Sequence, residues 1–208
     1  MIGPLKNVEK GVSCMEEKVL VITGAGSGLG ASLAKKYSEL GYHICLLGRT
    51  KMNLERTAQN LVNKYSIYEL DVTSKEEVDR VFQSIQQEVG SIDILLNNAG
   101  LGVFDFAENI EEESIHQMID INLKGTIFCT QAVLPPMKEQ NHGIIANVIS
   151  TAGIEGKVSE SVYCASKFGV RGFTESLQVE LKDSAVKVFA AYMGGMKTAF
   201  WDGILSEE

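Results

Sequence analysis

Short, nearly continuous apolar runs alternate along this chain with longer stretches in which apolar residues recur every three or four positions. The first rhythm belongs to strands buried on both faces, the second to helices with one apolar face. Taken in order, a strand is expected at about 18–23 and a helix at about 28–40, closed by Gly41. A second strand covers 43–47, and a second helix about 51–63 carries Leu54, Ala58, Leu61 and Val62 on one face. Strand three is 66–70. Thr73 or Ser74 caps helix three, whose stripe is Val78, Val81, Phe82 and Ile85. Strand four is 92–96, followed by a long loop from Gly100 to about Asn109. Helix four runs from about 111 towards Pro135, Gly143 opens strand five at 144–149, and a second long loop spans about 151–160. Helix five covers about 161–182 and strand six 186–192.

Strands alternating with helices predict an α/β domain: a doubly wound parallel sheet of about six strands with helices on both faces. Its ligand crevice lies beyond the C-terminal ends of the strands. Residues 15–208 read as one such domain; residues 1–14 lack periodicity and read as a leader, disordered, and either a natural extension or of artificial origin. There is no internal repeat, linker or low-complexity tract. The 208 residues, 45% of them hydrophobic, suffice for one well-buried domain.

Charge and cysteine usage narrow the function classes. A net charge of −8 without a local Lys/Arg cluster argues against nucleic-acid binding, which needs a basic face. No apolar run reaches the roughly 18 residues of a membrane span, and no secretory signal is visible. Cys14, Cys45, Cys129 and Cys164 have no CxxC spacing, and the histidines His43, His116 and His142 are scattered, so a metal site is not expected. Free thiols fit a reducing, cytoplasmic setting.

Candidate chemistry begins at Thr23-Gly24-Ala25-Gly26-Ser27-Gly28-Leu29-Gly30, between the first strand and the first helix. Glycines let a backbone turn tightly against a ligand, and a helix start offers unpaired N–H groups to a pyrophosphate. On helix five, Tyr163 and Lys167 are four apart and share a face. A free tyrosine titrates near ~10; a neighbouring ammonium lowers that value and suits it to proton exchange with a substrate oxygen. Ser150, at the end of strand five, can hydrogen-bond the same oxygen. Taken alone, the pair also fits an ordinary helix surface.

Together these segments resemble the short-chain dehydrogenase/reductase family, in its single-domain, Rossmann-type oxidoreductase branch. The resemblance is carried by the glycine stretch (TGxxxGxG), Asp71-Val72, Asn97-Asn98-Ala99-Gly100, Asn122 in Asp-Ile-Asn-Leu-Lys-Gly, Ser150, Tyr163-Cys164-Ala165-Ser166-Lys167 (YxASK), and Gly194 with Thr198. It covers the chain from about residue 16 onward. It implies Tyr163 as general acid–base, Lys167 lowering its pKa and holding the nicotinamide ribose, Ser150 polarising the carbonyl, and Asn122 anchoring a water for proton relay. It also implies cofactor contacts from Gly24, Ser27, Gly28, Leu29, Gly30, Asp71, Val72, Asn98, Ala99, Gly100, Gly194 and Thr198. Asn97 is expected to tie neighbouring strands together. A homodimer through helices four and five is implied as well.

The end of strand two bears on the choice of dinucleotide. A fold selective for NAD usually places an acid there. This chain has Gly48-Arg49, which leaves room for a 2′-phosphate and a guanidinium to pair with it. NADP(H) is therefore expected, with NAD(H) as the alternative and a solvated loop charge as the bland reading of Arg49. The proline the family usually carries after strand six is Met193 here, and the chain stops at Glu208, ahead of the family's usual covering helices and seventh strand. Strand six is thus expected at a sheet edge, with Phe200-Trp201 as a lid start or a packing patch. Leu101, Val103, Phe104, Phe106, Ile154 and Trp201 suggest an apolar pocket for a neutral carbonyl or alcohol, with Lys157 and Lys197 as the candidate cations. The competing reading is an NADP(H)-binding sensor or scaffold with little catalysis. The glycine spacing speaks against an epimerase or dehydratase.

Overall fold

The computed structural model describes residues 17–194. The expected leader, together with Thr198, Lys197 and Phe200-Trp201, lies outside the described residues.

Six strands pair in parallel in the order β3-β2-β1-β4-β5-β6: β1 Val19–Thr23, β2 His43–Gly48, β3 Tyr65–Glu69, β4 Ile94–Asn97, β5 Gly143–Ser150 and β6 Val186–Met193. The order reverses between β1 and β4, which is the switch point where a doubly wound sheet opens a crevice. β1 is buried along its whole length, and Ile44 to Leu47 of β2 likewise, as strands covered on both faces must be. Two cores result. Leu20, Ile22, Ile44, Leu46 and Leu54 fill the side facing helices α1 (Gly28–Glu39) and α2 (Lys51–Ala58). Val21, Cys45, Leu95, Val133 and Ile145 fill the other, with α3 (Lys75–Glu88) closing it through Val78, Val81, Phe82 and Ile85. This is the Rossmann-like arrangement expected.

Local signals explain most boundaries. Gly41, at φ +90, takes the left-handed backbone that ends α1 cheaply. Of the two candidate caps of α3, Ser74 is the one used: its hydroxyl accepts from the Glu77 amide at 3.3 Å. Other expectations are corrected. α2 stops at Ala58 rather than near 63, since Val62 is 74% exposed and adds nothing to the apolar face. β4 begins at Ile94, two residues later than expected. The single helix expected from about 111 is three segments: α4 (Glu112–Ile119), a π-helical turn (Asp120–Lys124) and α5 (Gly125–Glu139). α5 runs through Pro135 and Pro136 instead of stopping there, anchored by Met137, which is buried in the core.

A buried polar chain braces the centre of the sheet. Asn97 of β4 donates to Asn147 of β5 (2.8 Å) and to Thr130 of α5 (3.1 Å), and Asn147 donates to Thr174 (2.9 Å) of helix α6 (Ser161–Glu180). Asn97 thus ties β4 to β5, as expected. β6 forms a sheet edge among the described residues, with Phe189 and Tyr192 exposed.

Candidate active site

The cleft at the C-terminal ends of the strands has a volume of about 620 Å³. At one end is the glycine turn between β1 and α1. Gly24 has φ +65, and a Cβ there would sit 2.9 Å from the Ala99 backbone; a Cβ at Gly30 would sit 2.4 Å from the Gly24 carbonyl oxygen. Only glycine lets the turn lie this close to the end of β4. The turn is laced down from above. Asn98 donates its side-chain amide to the carbonyls of Thr23 (3.0 Å) and Gly24 (3.2 Å), while the Thr23 hydroxyl accepts from the amides of Asn98 and Ala99, each at 3.0 Å.

Most of the expected cofactor residues line this cleft: Gly24, Ser27, Gly28, Leu29, Arg49, Asp71, Val72, Asn98, Ala99, Gly100 and Gly194. Gly30 does not; it is buried under the turn and acts by its small size. Gly194 lines the cleft, but nothing among the described residues stands within 4 Å of a Cβ there, so glycine is not sterically required. Asp71 accepts from the Thr73 amide (2.9 Å) and hydroxyl (2.8 Å) through one oxygen, which fixes its carboxylate at the wall. Arg49 stands exposed at the rim, with no ion pair among the described residues. Asn53, at the start of α2, also lines the cleft and crowds Gly26, whose Cβ would meet it at 2.9 Å. No sequence signal marked it.

At the other end Ser150, Tyr163 and Lys167 share one wall. β5 delivers Ser150 at its last position, beside Met193 of β6, and α6 delivers the other two one turn apart. The Ser150 hydroxyl oxygen accepts from the Ala152 amide at 3.1 Å. The Tyr163 ring is held edge-on by Phe104, centroids 5.4 Å apart. Lys167 is 5% exposed; its Nζ lies 5.8 Å from the Tyr163 ring centroid and donates to the Val148 carbonyl at 3.1 Å.

The electrostatics depart from expectation. Burial pushes the Tyr163 phenol up to about 12; a hydrogen bond with Ser150 pulls it down, and the Glu160 carboxylate opposes that. Lys167, the group the resemblance implies for lowering it, turns its ammonium to the Val148 carbonyl and is itself pulled down to about 8 by burial, so desolvation of the phenol prevails.

The role expected of Asn122 is to anchor a water for proton relay. The residue sits in the π-helical turn behind the cleft wall, 1% exposed. Its Oδ1 accepts from the Leu101 amide at 2.7 Å, and its Nδ2 donates to the Leu101 carbonyl (2.8 Å) and the Ser166 hydroxyl (2.9 Å). Both amide hydrogens are spent on structure, so the side chain holds the loop after β4. The substrate end of the cleft is less apolar than expected: Lys157 and Glu160 line it beside Leu101, Thr151 and Met193. Phe106 and Ile154 instead point outward, 57% and 50% exposed. Among the described residues no cluster of metal-ligating side chains occurs.

A nicotinamide dinucleotide fits this wall. The glycine turn suits a pyrophosphate, Asp71 and Val72 line the same cleft, and Lys167 stands at the far end beside Tyr163.

Comparison with known proteins agrees. The short chain dehydrogenase family model matches residues 18–208. An uncharacterized oxidoreductase of Staphylococcus aureus (strain USA300) is 37% identical over 189 residues, covering 90% of this chain and 82% of that protein. Among solved structures, the closed form of a serine dehydrogenase complexed with NADP+ superposes with a TM-score of 0.85 at 34% identity, covering 89% of this chain and 75% of that one. An alcohol dehydrogenase from the archaeon Thermococcus sibiricus, complexed with 5-hydroxy-NADP, gives a TM-score of 0.84 at 30% identity, covering 89% and 79%. With its sheet order, its glycine turn and these relatives, the chain belongs to the short-chain dehydrogenase family.

Proposed function

We propose that this oxidoreductase transfers a hydride between NADP(H) and a small neutral carbonyl or secondary-alcohol compound. The observation that carries this reading is one continuous wall: the glycine turn and Arg49 at one end, and Ser150, Tyr163 and Lys167 at the other. The bound dinucleotide supplies the hydride. The protein supplies the proton and the geometry. Ser150 polarises the substrate oxygen. Tyr163, whose phenol is protonated at neutral pH, donates to that oxygen as negative charge develops on it. Lys167, charged below about pH 8, stabilises the phenolate left behind and reaches the ribose hydroxyls. Asn122 supports the relay by fixing Leu101, whose backbone borders the reacting end of the cleft.

The preference for NADP(H) over NAD(H) rests on Gly48, which ends β2, and on Arg49 next to it, which has no ion pair among the described residues, with support from relatives solved with NADP-type ligands. A reducing cytoplasm is the compartment we assign. Cys45, Cys129 and Cys164 are free and buried, and burial pushes the first two thiols up to about 12, which leaves them inert. A homodimer across α5 and α6 is proposed on family resemblance; Val179, 70% exposed on α6, supports it, and light scattering of the purified protein tests it, a monomer refuting it.

The function is tested by NADPH oxidation over a panel of aldehydes and ketones, with NADH in parallel. Turnover preferring NADPH is expected. Tight NADPH binding without turnover on any compound supports the sensor reading instead.

A further inference from the structure

Ser166 is absent from the catalytic reading above, yet it sits at a junction. It is completely buried on α6, between Tyr163 and Lys167. Its hydroxyl donates to the Tyr163 carbonyl at 2.7 Å, the shortest way for that group to use its one hydrogen within its own helix turn. The same oxygen accepts the Asn122 amide at 2.9 Å. Asn122 in turn clasps both backbone groups of Leu101, at 2.7 and 2.8 Å. Three segments far apart in sequence are therefore linked through Asn122 and this hydroxyl: the catalytic helix, the π-helical turn and the loop after β4.

The neighbourhood leaves little slack. A Cβ at Gly100 would stand 3.4 Å from the Asn122 Oδ1 and 3.6 Å from the Lys167 Nζ, so the loop passes directly over the lysine. A shift of Asn122 would move Gly100 and Leu101, and with them the wall facing Tyr163 and Lys167. The π-helical geometry is part of the device. An extra residue in the turn lets Asn122 reach both Leu101 and α6, and such turns recur at functional sites. Removing the Ser166 oxygen leaves one buried Asn122 amide hydrogen without its partner, which a low-dielectric interior penalises.

We propose that Ser166 is a positioning residue: its hydroxyl couples Asn122 to the catalytic helix and so fixes the loop after β4 against Tyr163 and Lys167. The proposal rests on the oxidoreductase reading for its catalytic consequence, but the coupling itself can be read without turnover. In Ser166→Ala the Leu101 amide, no longer held by a fixed Asn122, exchanges with solvent at least about tenfold faster, while the amides of β1 and β5 keep their rates. With a carbonyl substrate and NADPH, kcat falls about 10- to 100-fold while the NADPH dissociation constant stays within about threefold. Ser166→Cys, close in shape and with a weak donor, recovers part of the loss. If Ser166 acts through Asn122, Ser166→Ala adds little to Asn122→Ala, because the two changes break one network. Unchanged Leu101 exchange in both Ser166 variants, or fully additive losses in the double variant, overturns the proposal. Wild-type protein that turns over nothing refutes the oxidoreductase reading, and Leu101 exchange still decides whether Ser166 couples the three segments.

Discussion

Replacing Lys167 with methionine should stabilise the protein while abolishing its chemistry. The ammonium is 5% exposed and titrates at about 8 instead of 10.5, with desolvation as the cause. At 1.36 kcal/mol per pH unit, that gap corresponds to about 3 kcal/mol spent on holding the charge inside. Methionine matches the unbranched stem and needs no partner. Against this gain stands the loss of the hydrogen bond to the Val148 carbonyl, about 1–2 kcal/mol when a buried acceptor is left alone. A net stabilisation of about 1–2 kcal/mol remains, a rise in Tm of roughly 2–8 °C for a chain of this size. The sign with pH follows from the two lysine values. Between about pH 8 and 10.5 the unfolded lysine holds a proton that the folded one has released, so wild-type stability rises through that window. Below about pH 8 the penalty is fully present. Urea unfolding of both proteins without cofactor, from about pH 7 to 10, should show an advantage for Lys167→Met that is largest at the low end and shrinks upward. Tyr163 works in the opposite sense, costing stability only as pH rises from 10 towards about 12, outside this window. A variant less stable than wild type at about pH 7, or a difference that ignores pH, refutes the desolvation argument.

Two further outcomes follow from the cofactor end of the cleft. Arg49→Ala should raise the NADPH KM about 10- to 100-fold and leave that for NADH within about threefold, since a charge-assisted contact to a phosphate is worth about 1.5–3 kcal/mol; equal effects on both cofactors sink the 2′-phosphate assignment. Gly30→Ala places a Cβ 2.4 Å from the Gly24 carbonyl oxygen, so dinucleotide binding, followed by NADPH fluorescence, should be lost along with at least about 1 kcal/mol of stability; intact binding contradicts the close packing of the turn.

The sheet was legible in the sequence because its strands are buried on both faces. Residues such as Val19 to Thr23 and Ile44 to Leu47 leave no alternative to strand once glycine turns bound them. The helix after β2 was overextended because Leu61 and Val62 continue the apolar period, although Val62 meets only solvent. The break between α4 and α5 was invisible. One additional residue in a helical turn hardly disturbs an apolar stripe, yet Asn122, which bonds Leu101, sits in that turn. Ser150, Tyr163 and Lys167 could be named from their spacing, and they do share a wall. Their electrostatics could not, because the Val148 carbonyl that holds Lys167 is a backbone atom with no residue signature. The same holds for the Leu101 backbone, and for the desolvation that raises the Tyr163 phenol.

The most direct measurement compares wild type with Tyr163→Phe for both NADPH binding and NADPH-dependent reduction of a carbonyl substrate. The phenylalanine keeps the edge-on packing against Phe104 and removes only the hydroxyl. Binding within about threefold of wild type, with kcat lowered about 10²- to 10⁴-fold, is the predicted result. Equal turnover by the two proteins would contradict Tyr163 as the proton donor and, with it, the mechanism.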